Sequence, residues 1–210
     1  MFSNPFPSAI LPITASALKE KLEQNALVID TRFIASILNT GSIPNAIFIG
    51  MQGNLERWTF ELISDKSAEI YLITEENTDI NELCLRFQRA GITNISGFLT
   101  DGIESWIQEN YPIEPYHLIH PTDFIQEIEH INLQNVIDVR TEREFQQQHI
   151  KGSKNIPLDS ILNNLAEFNL ENQYYIICQG GYRSIIAASI LKRNGIHQTI
   201  DIYGGIKNFT

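Results

Sequence analysis

The sequence predicts two successive α/β domains, each a mainly parallel sheet covered by helices on both faces. Three observations carry this reading. The chain repeats its own landmarks once, in order, at a spacing of about a hundred residues. Each repeat alternates short apolar strands with helical stretches, the pattern of a buried parallel sheet. An extended, proline-marked stretch, Tyr111-Pro-Ile-Glu-Pro-Tyr116, separates the two copies.

The landmarks run as follows. Ala26-Leu-Val-Ile-Asp-Thr-Arg32 matches Asn135-Val-Ile-Asp-Val-Arg140: each is an apolar strand ending in Asp-x-Arg, with Asp30 and Asp138 108 positions apart. Ser42-Ile-Pro-Asn-Ala-Ile47 resembles His149-Ile-Lys-Gly-Ser-Lys-Asn-Ile156. Tyr71-Leu-Ile-Thr74 parallels Tyr175-Ile-Ile-Cys178, and Gly91-Ile92 parallels Gly195-Ile196. Asp101-Gly-Ile-Glu-Ser-Trp106 parallels Gly204-Gly-Ile-Lys-Asn-Phe209. The domains are read as residues 14–114 and 115–210, with 1–13 as an extended lead-in holding Pro5, Pro7 and Pro12.

Each unit opens with a helix, Thr14 to Asn25 with Thr14 as N-cap, or Pro121 to His130. Strands follow at Leu27–Ile29 and Ala46–Ile49, or at Val136–Val139 and Lys154–Ile156. A wholly apolar strand comes next, Ile70–Ile73 or Tyr174–Ile177. A strong helix then runs from Asn81 to Ala90, or from Ser184 to Asn194, closed by Gly91 or Gly195. The last strand lies near Ile95–Phe98 or Thr199–Tyr203, and the helix ending the second unit is expected to be short or missing.

Composition narrows the function classes. The net charge of −10 argues against nucleic acid as a partner, because phosphate binding needs clustered Lys and Arg. No apolar run is long enough to span a membrane, and the N-terminus lacks the basic start of a signal peptide. The only cysteines, Cys84 and Cys178, are far apart, which points to a reducing cytoplasm rather than a disulfide framework.

The informative stretch follows the apolar strand of the second unit: Cys178-Gln179-Gly180-Gly181-Tyr182-Arg183-Ser184. Ligands of open α/β sheets bind beyond the carboxyl ends of the strands. Here a buried strand delivers Cys178 to that edge. Two glycines let successive N–H groups turn inward as an anion-binding nest, and the following helix points its positive end into the loop. Arg183 adds a positive charge. Such surroundings favour a thiolate at neutral pH, the nucleophile that attacks sulfane sulfur.

This loop and the helix after it, with Asp138-Val-Arg-Thr-Glu-Arg-Glu-Phe145 and His149-Ile-Lys-Gly-Ser-Lys-Asn-Ile-Pro157, resemble the rhodanese family. The resemblance covers the second unit directly and extends to the first through their common order. It implies sulfur transfer: Cys178 would take sulfur from a small anionic donor, thiosulfate or a persulfide, and yield it to a thiol or cyanide acceptor. The N–H groups of Gln179 to Ser184 would hold the persulfide, Arg183 would hold the donor or the loop, and Asp138 and Arg140 would support the loop and fold. No cofactor and no metal are implied. Rhodanese-like protein phosphatases have a loop one residue longer than the six from Cys178 to Arg183, so the count favours sulfur over phosphate or arsenate. The other reading is a non-catalytic binding or sulfide-sensing module. Similar double segments follow a metallo-β-lactamase-like domain in persulfide dioxygenase fusions, so an upstream domain or partner of that kind is an expectation too.

The first unit lacks this chemistry. Cys178 falls on Thr74 and Arg183 on Asp79, in a loop Thr74-Glu-Glu-Asn-Thr-Asp79 with no thiol, glycine or cation. A hydroxyl without an activating base is a poor nucleophile, so this unit is read as catalytically silent. Cys84, within Leu83-Cys-Leu-Arg-Phe87, reads as a small buried hydrophobe. His117 and His120 read as linker residues, Tyr182 as rim packing, His149 as non-catalytic, and Glu142 to Glu144 as a solvated helix face.

Overall fold

A computed structural model describes residues 10–209, which fall into two compact units dividing between Pro115 and Tyr116. The first contains β1 (Leu11–Ile13), α1 (Ala15–Glu23), β2 (Leu27–Asp30), α2 (Ile34–Thr40), β3 (Ile47–Phe48), α3 (Leu55–Leu62), β4 (Ile70–Ile73), α4 (Ile80–Arg89), β5 (Ile95–Leu99) and α5 (Gly102–Gln108). Its sheet is wholly parallel, in the order β1-β5-β4-β2-β3. All four residues of β4 are buried, which requires cover on both faces. On one face Val28, Tyr71 and Ile73 meet Ala15 and Leu18 of α1 and Ile103 and Trp106 of α5.

The second unit repeats the plan with β6 (His117–Ile119), α6 (Pro121–Glu127), β7 (Val136–Asp138), α7 (Glu142–Gln147), β8 (Lys154–Asn155), β9 (Tyr174–Ile177), α8 (Tyr182–Arg193) and β10 (Thr199–Ile202). Its sheet is also parallel, in the order β6-β10-β9-β7-β8. One face packs Val136, Tyr175, Ile177 and Ile202 against Phe124 of α6 and Ile206. A long 3₁₀ segment, Leu158–Glu167, and α8 contact one another. The two-sheet α/β architecture expected from the repeat is therefore present.

The local signals act as chemistry dictates. Thr14 caps α1 by accepting from the Ala17 N–H at 3.2 Å. Gly91 and Gly195 follow α4 and α8 with φ of +86° and +85°, the left-handed geometry that glycine adopts without strain. In place of a second α5, the last turn of unit two is a 3₁₀ segment, Ile206–Phe209.

Two expectations need correction. Part of the lead-in is a strand: β1 pairs with β5, with Leu11 opposite Gly97 (residues 1–9 lie outside the described residues). His117 and His120 are not linker residues either. His117 begins β6, which pairs with β10, and His120 caps α6 by accepting from the Thr122 N–H at 3.4 Å. Both strands have three residues with exposed positions, so they carry none of the apolar alternation by which a strand is read.

Candidate active site

The sheet edge beyond β9 builds the site. Cys178 follows the last residue of β9 and is 1% exposed. Gly181 then turns the chain with φ of +102°, and its N–H points at the Cys178 Sγ at 3.1 Å. Gly181 is also the N-cap of α8, and no side chain caps that helix end. The positive end of the α8 dipole lies beside the Cys178 sulfur. Ser184 stands behind the sulfur, its Oγ 3.4 Å from Sγ and donating to the Gly181 carbonyl at 3.1 Å. The space in front of Gly181 is open: a Cβ built there would meet nothing within 4 Å.

Arg183 is placed differently from a charge held out to a donor. Its two terminal nitrogens donate to Glu144, at 2.8 and 2.7 Å. Glu144 also accepts from the Thr141 N–H and hydroxyl, closing a capping box on α7. The Arg183 bonds, foremost, and the Thr141 bonds push the Glu144 carboxyl down to about 2. Glu144 is thus a clasp between α7 and the loop rather than a solvated charge.

Asp138 and Arg140 stand deeper. Both are at most 2% exposed, and Arg140 wraps back on Asp138 with a 2.6 Å ion pair. Arg140 also donates to the Gln148 carbonyl at 2.6 Å. Asn155 of β8 donates to the carbonyls of Asp138 and Arg140, at 2.8 and 2.9 Å. These groups hold the segment leading into α7. The loop itself is anchored by the Cys178 carbonyl, which accepts from the Ile206 N–H at 2.8 Å. Gln179 and Gly180 are exposed, Tyr182 is half-buried, and His149 stacks on Phe145 with centroids 4.0 Å apart. A further group borders the loop without any signal in the motif: the exposed Lys207 lies close enough that a Cβ on Gly180 would be 3.6 Å from its Nζ.

The rhodanese-like domain pattern matches twice, at residues 14–109 and 120–210. The chain belongs to the rhodanese family. YqhL of Bacillus subtilis strain 168, an uncharacterized protein, is 36% identical over 74 residues, 35% of this chain and 59% of its own. YrkF of the same organism, named as a candidate sulfur carrier protein, is 33% identical over 87 residues, 41% of this chain and 47% of its own. The chain thus spans about half the length of the curated relatives it matches. A rhodanese-like domain protein from Staphylococcus aureus of known structure is 31% identical, with 45% of this chain and 91% of that one covered and a TM-score of 0.42. No helix among the described residues is long and apolar enough to cross a membrane.

Within this rhodanese the first unit inverts the electrostatics of the second. Its helix end is already occupied: the Asp79 carboxylate caps α4, accepting from the N–H groups of Asn81 and Glu82 at 2.9 and 3.2 Å. Glu75 accepts from the Phe33 N–H and the Ser36 hydroxyl, at 2.7 and 2.6 Å. A cavity of about 480 Å³ at this edge is lined by Thr74, Glu75, Glu76, Asp101 and Glu104 among others. An anionic donor would meet carboxylates there. Burial first, then Asp79, pushes the Cys84 thiol up to about 12, so the unit's one cysteine is inert.

Proposed function

We propose that the second unit is a sulfurtransferase that moves sulfane sulfur through a Cys178 persulfide. The observation that carries this is the Gly181 N–H aimed at the Cys178 Sγ at 3.1 Å, at a helix end that no side chain caps. The thiolate attacks the outer sulfur of thiosulfate, the S–S bond breaks, and sulfite leaves with the bonding pair. The terminal sulfur of the persulfide is then an anion in the place where the first-turn N–H groups converge. An acceptor thiolate or cyanide attacks that outer sulfur and releases the Cys178 thiolate. The open space in front of Gly181 admits both reactants in turn. A reducing cytoplasm suits the free thiols, and the first unit contributes no chemistry.

Intact-protein mass after incubation with thiosulfate or glutathione persulfide tests this. The expected result is a gain of one sulfur atom in the wild type, absent from Cys178→Ser and lost on adding cyanide or thiol. No adduct from either donor would favour a binding or sensing module instead.

A further inference from the structure

The first unit keeps the fold's ligand position while lacking the thiol. Its cavity of about 480 Å³ lies at the carboxyl ends of the strands, in the size range of small-molecule sites. Thr74 follows β4 as Cys178 follows β9, and it lines this cavity. Thr74 is 6% exposed, and its hydroxyl has no hydrogen-bond partner among the described residues. A hydroxyl so deeply placed and unpaired is a group that a ligand would satisfy.

Four carboxylates share the lining, those of Glu75, Glu76, Asp101 and Glu104. Glu75 is held in place by the Phe33 N–H and the Ser36 hydroxyl. The side chains of the other three have no ion pair or hydrogen bond among the described residues. Arg32 also lines the cavity, but its guanidinium is committed to Asp30, the Thr40 hydroxyl and the Gly41 carbonyl, at 2.7, 2.9 and 2.6 Å. The fold does not require these acids. At the matching positions the second unit carries Gln179, Gly180, Gly204 and Lys207, so the place of Glu104 reverses its charge between the units.

The spacing of the acids selects the occupant. Among the described residues no three His, Cys, Asp or Glu stand together as a metal site would need, so the carboxylates are spread along the cavity. Separated acceptors suit separated cations. An ammonium group has three donors and no acceptor, which matches carboxylates and an unpaired hydroxyl oxygen. We propose that the cavity of the first unit binds an aliphatic polyamine, its ammonium groups set against Glu75, Glu76, Asp101 and Glu104, with one of them donating to the Thr74 hydroxyl. Binding makes and breaks no covalent bond, and it does not rest on sulfur transfer at Cys178.

Equilibrium dialysis of the full-length protein against labelled spermidine tests this. One spermidine should be retained per chain, and raising the salt to about 0.15 M should weaken binding several-fold. Glu76→Gln/Glu104→Gln should weaken it roughly tenfold. Glu20→Gln/Glu61→Gln, which neutralises two exposed acids outside the lining, should leave it unchanged. Thr74→Val removes the unpaired hydroxyl and should weaken binding about fivefold with the thermal midpoint held. In wild type, which needs no variant, amide NMR shifts on adding spermidine should gather at residues 74–76 and 101–104. Equal weakening by both double variants, or shifts spread over the whole surface, would mean diffuse attraction to a chain of net charge −10 and would overturn the site. Displacement of spermidine by an equal concentration of magnesium, or no spermidine retained at low salt, would overturn it as well.

Discussion

Arg183 and Glu144 clasp each other through two parallel hydrogen bonds, from Nη1 at 2.8 Å and Nη2 at 2.7 Å. The clasp joins the first turn of α8, which bears the Cys178 loop, to the first turn of α7, where Thr141 and Glu144 close a capping box. Arg183, read from the motif as holding either the donor or the loop, is thereby paired with Glu144. Lysine is a point charge that cannot reproduce the fork. Arg183→Lys is therefore expected to lower kcat/KM for thiosulfate about tenfold, through a looser loop, with little change in thermal midpoint. An unchanged kcat/KM would show the clasp to be dispensable.

The same clasp sets an acid limit. The Glu144 carboxyl is held at about 2, below its unfolded value, so its contribution is fully present above the usual carboxylate range and is lost as pH falls toward 2. Urea unfolding between pH 6 and pH 2 should show wild type losing about 1–2 kcal/mol more than Glu144→Gln, after allowance for solvent screening. Parallel stability curves would refute this.

Asp138 and Arg140 form a buried pair, and removing one partner strands the other's charge away from water. Arg140→Ala should destabilise by about 3–5 kcal/mol, read from the denaturant midpoint. Asp30 and Arg32 repeat the pair in the first unit, with Ser42 adding a 2.5 Å bond to Asp30, so Arg32→Ala should behave alike. A loss under 1 kcal/mol in either case would mean the pair is better solvated than its burial implies.

Gly205 stands at φ +70°, and a side chain there would run into the Cys178 carbonyl and the Gln179 backbone. Gly205→Ala should displace the loop from beneath, cost about 2 kcal/mol in urea, and slow persulfide formation more than it lowers stability would explain. Equal activity in the folded fraction would show that the loop tolerates the shift.

The two cysteines should part company under alkylation. With its thiol pushed up to about 12, Cys84 should stay unlabelled in the native protein at pH 8, while Cys178 reacts through the opening at Gly181. Peptide mapping after iodoacetamide settles it: label at Cys84 under native conditions would contradict the burial seen in α4.

The parts of the fold legible in the sequence were those whose burial is written locally. The apolar runs at β4 and β9 announce strands covered on both faces, and the repeat of Asp-x-Arg announces the second copy. The edge strands β1 and β6 were not legible, because three-residue strands with two exposed positions that borrow their hydrogen bonds from β5 and β10 have no local pattern to betray them. In the site, the Cys178 loop was legible because its glycines, thiol and helix start are consecutive. Glu144 left only the Thr-x-x-Glu capping signature.

The sequence by itself determined two α/β units of one family, a thiol at a sheet edge in the second, and its absence from the first. Those features depend on neighbours a few residues apart, whose geometry the backbone dictates. The tertiary structure alone decided that Arg183 clasps Glu144, 39 positions away, and that the Asp201 side chain is buried in β10. Which groups meet across strands and helices is set by register and packing, and electrostatics follows distance through space rather than order along the chain.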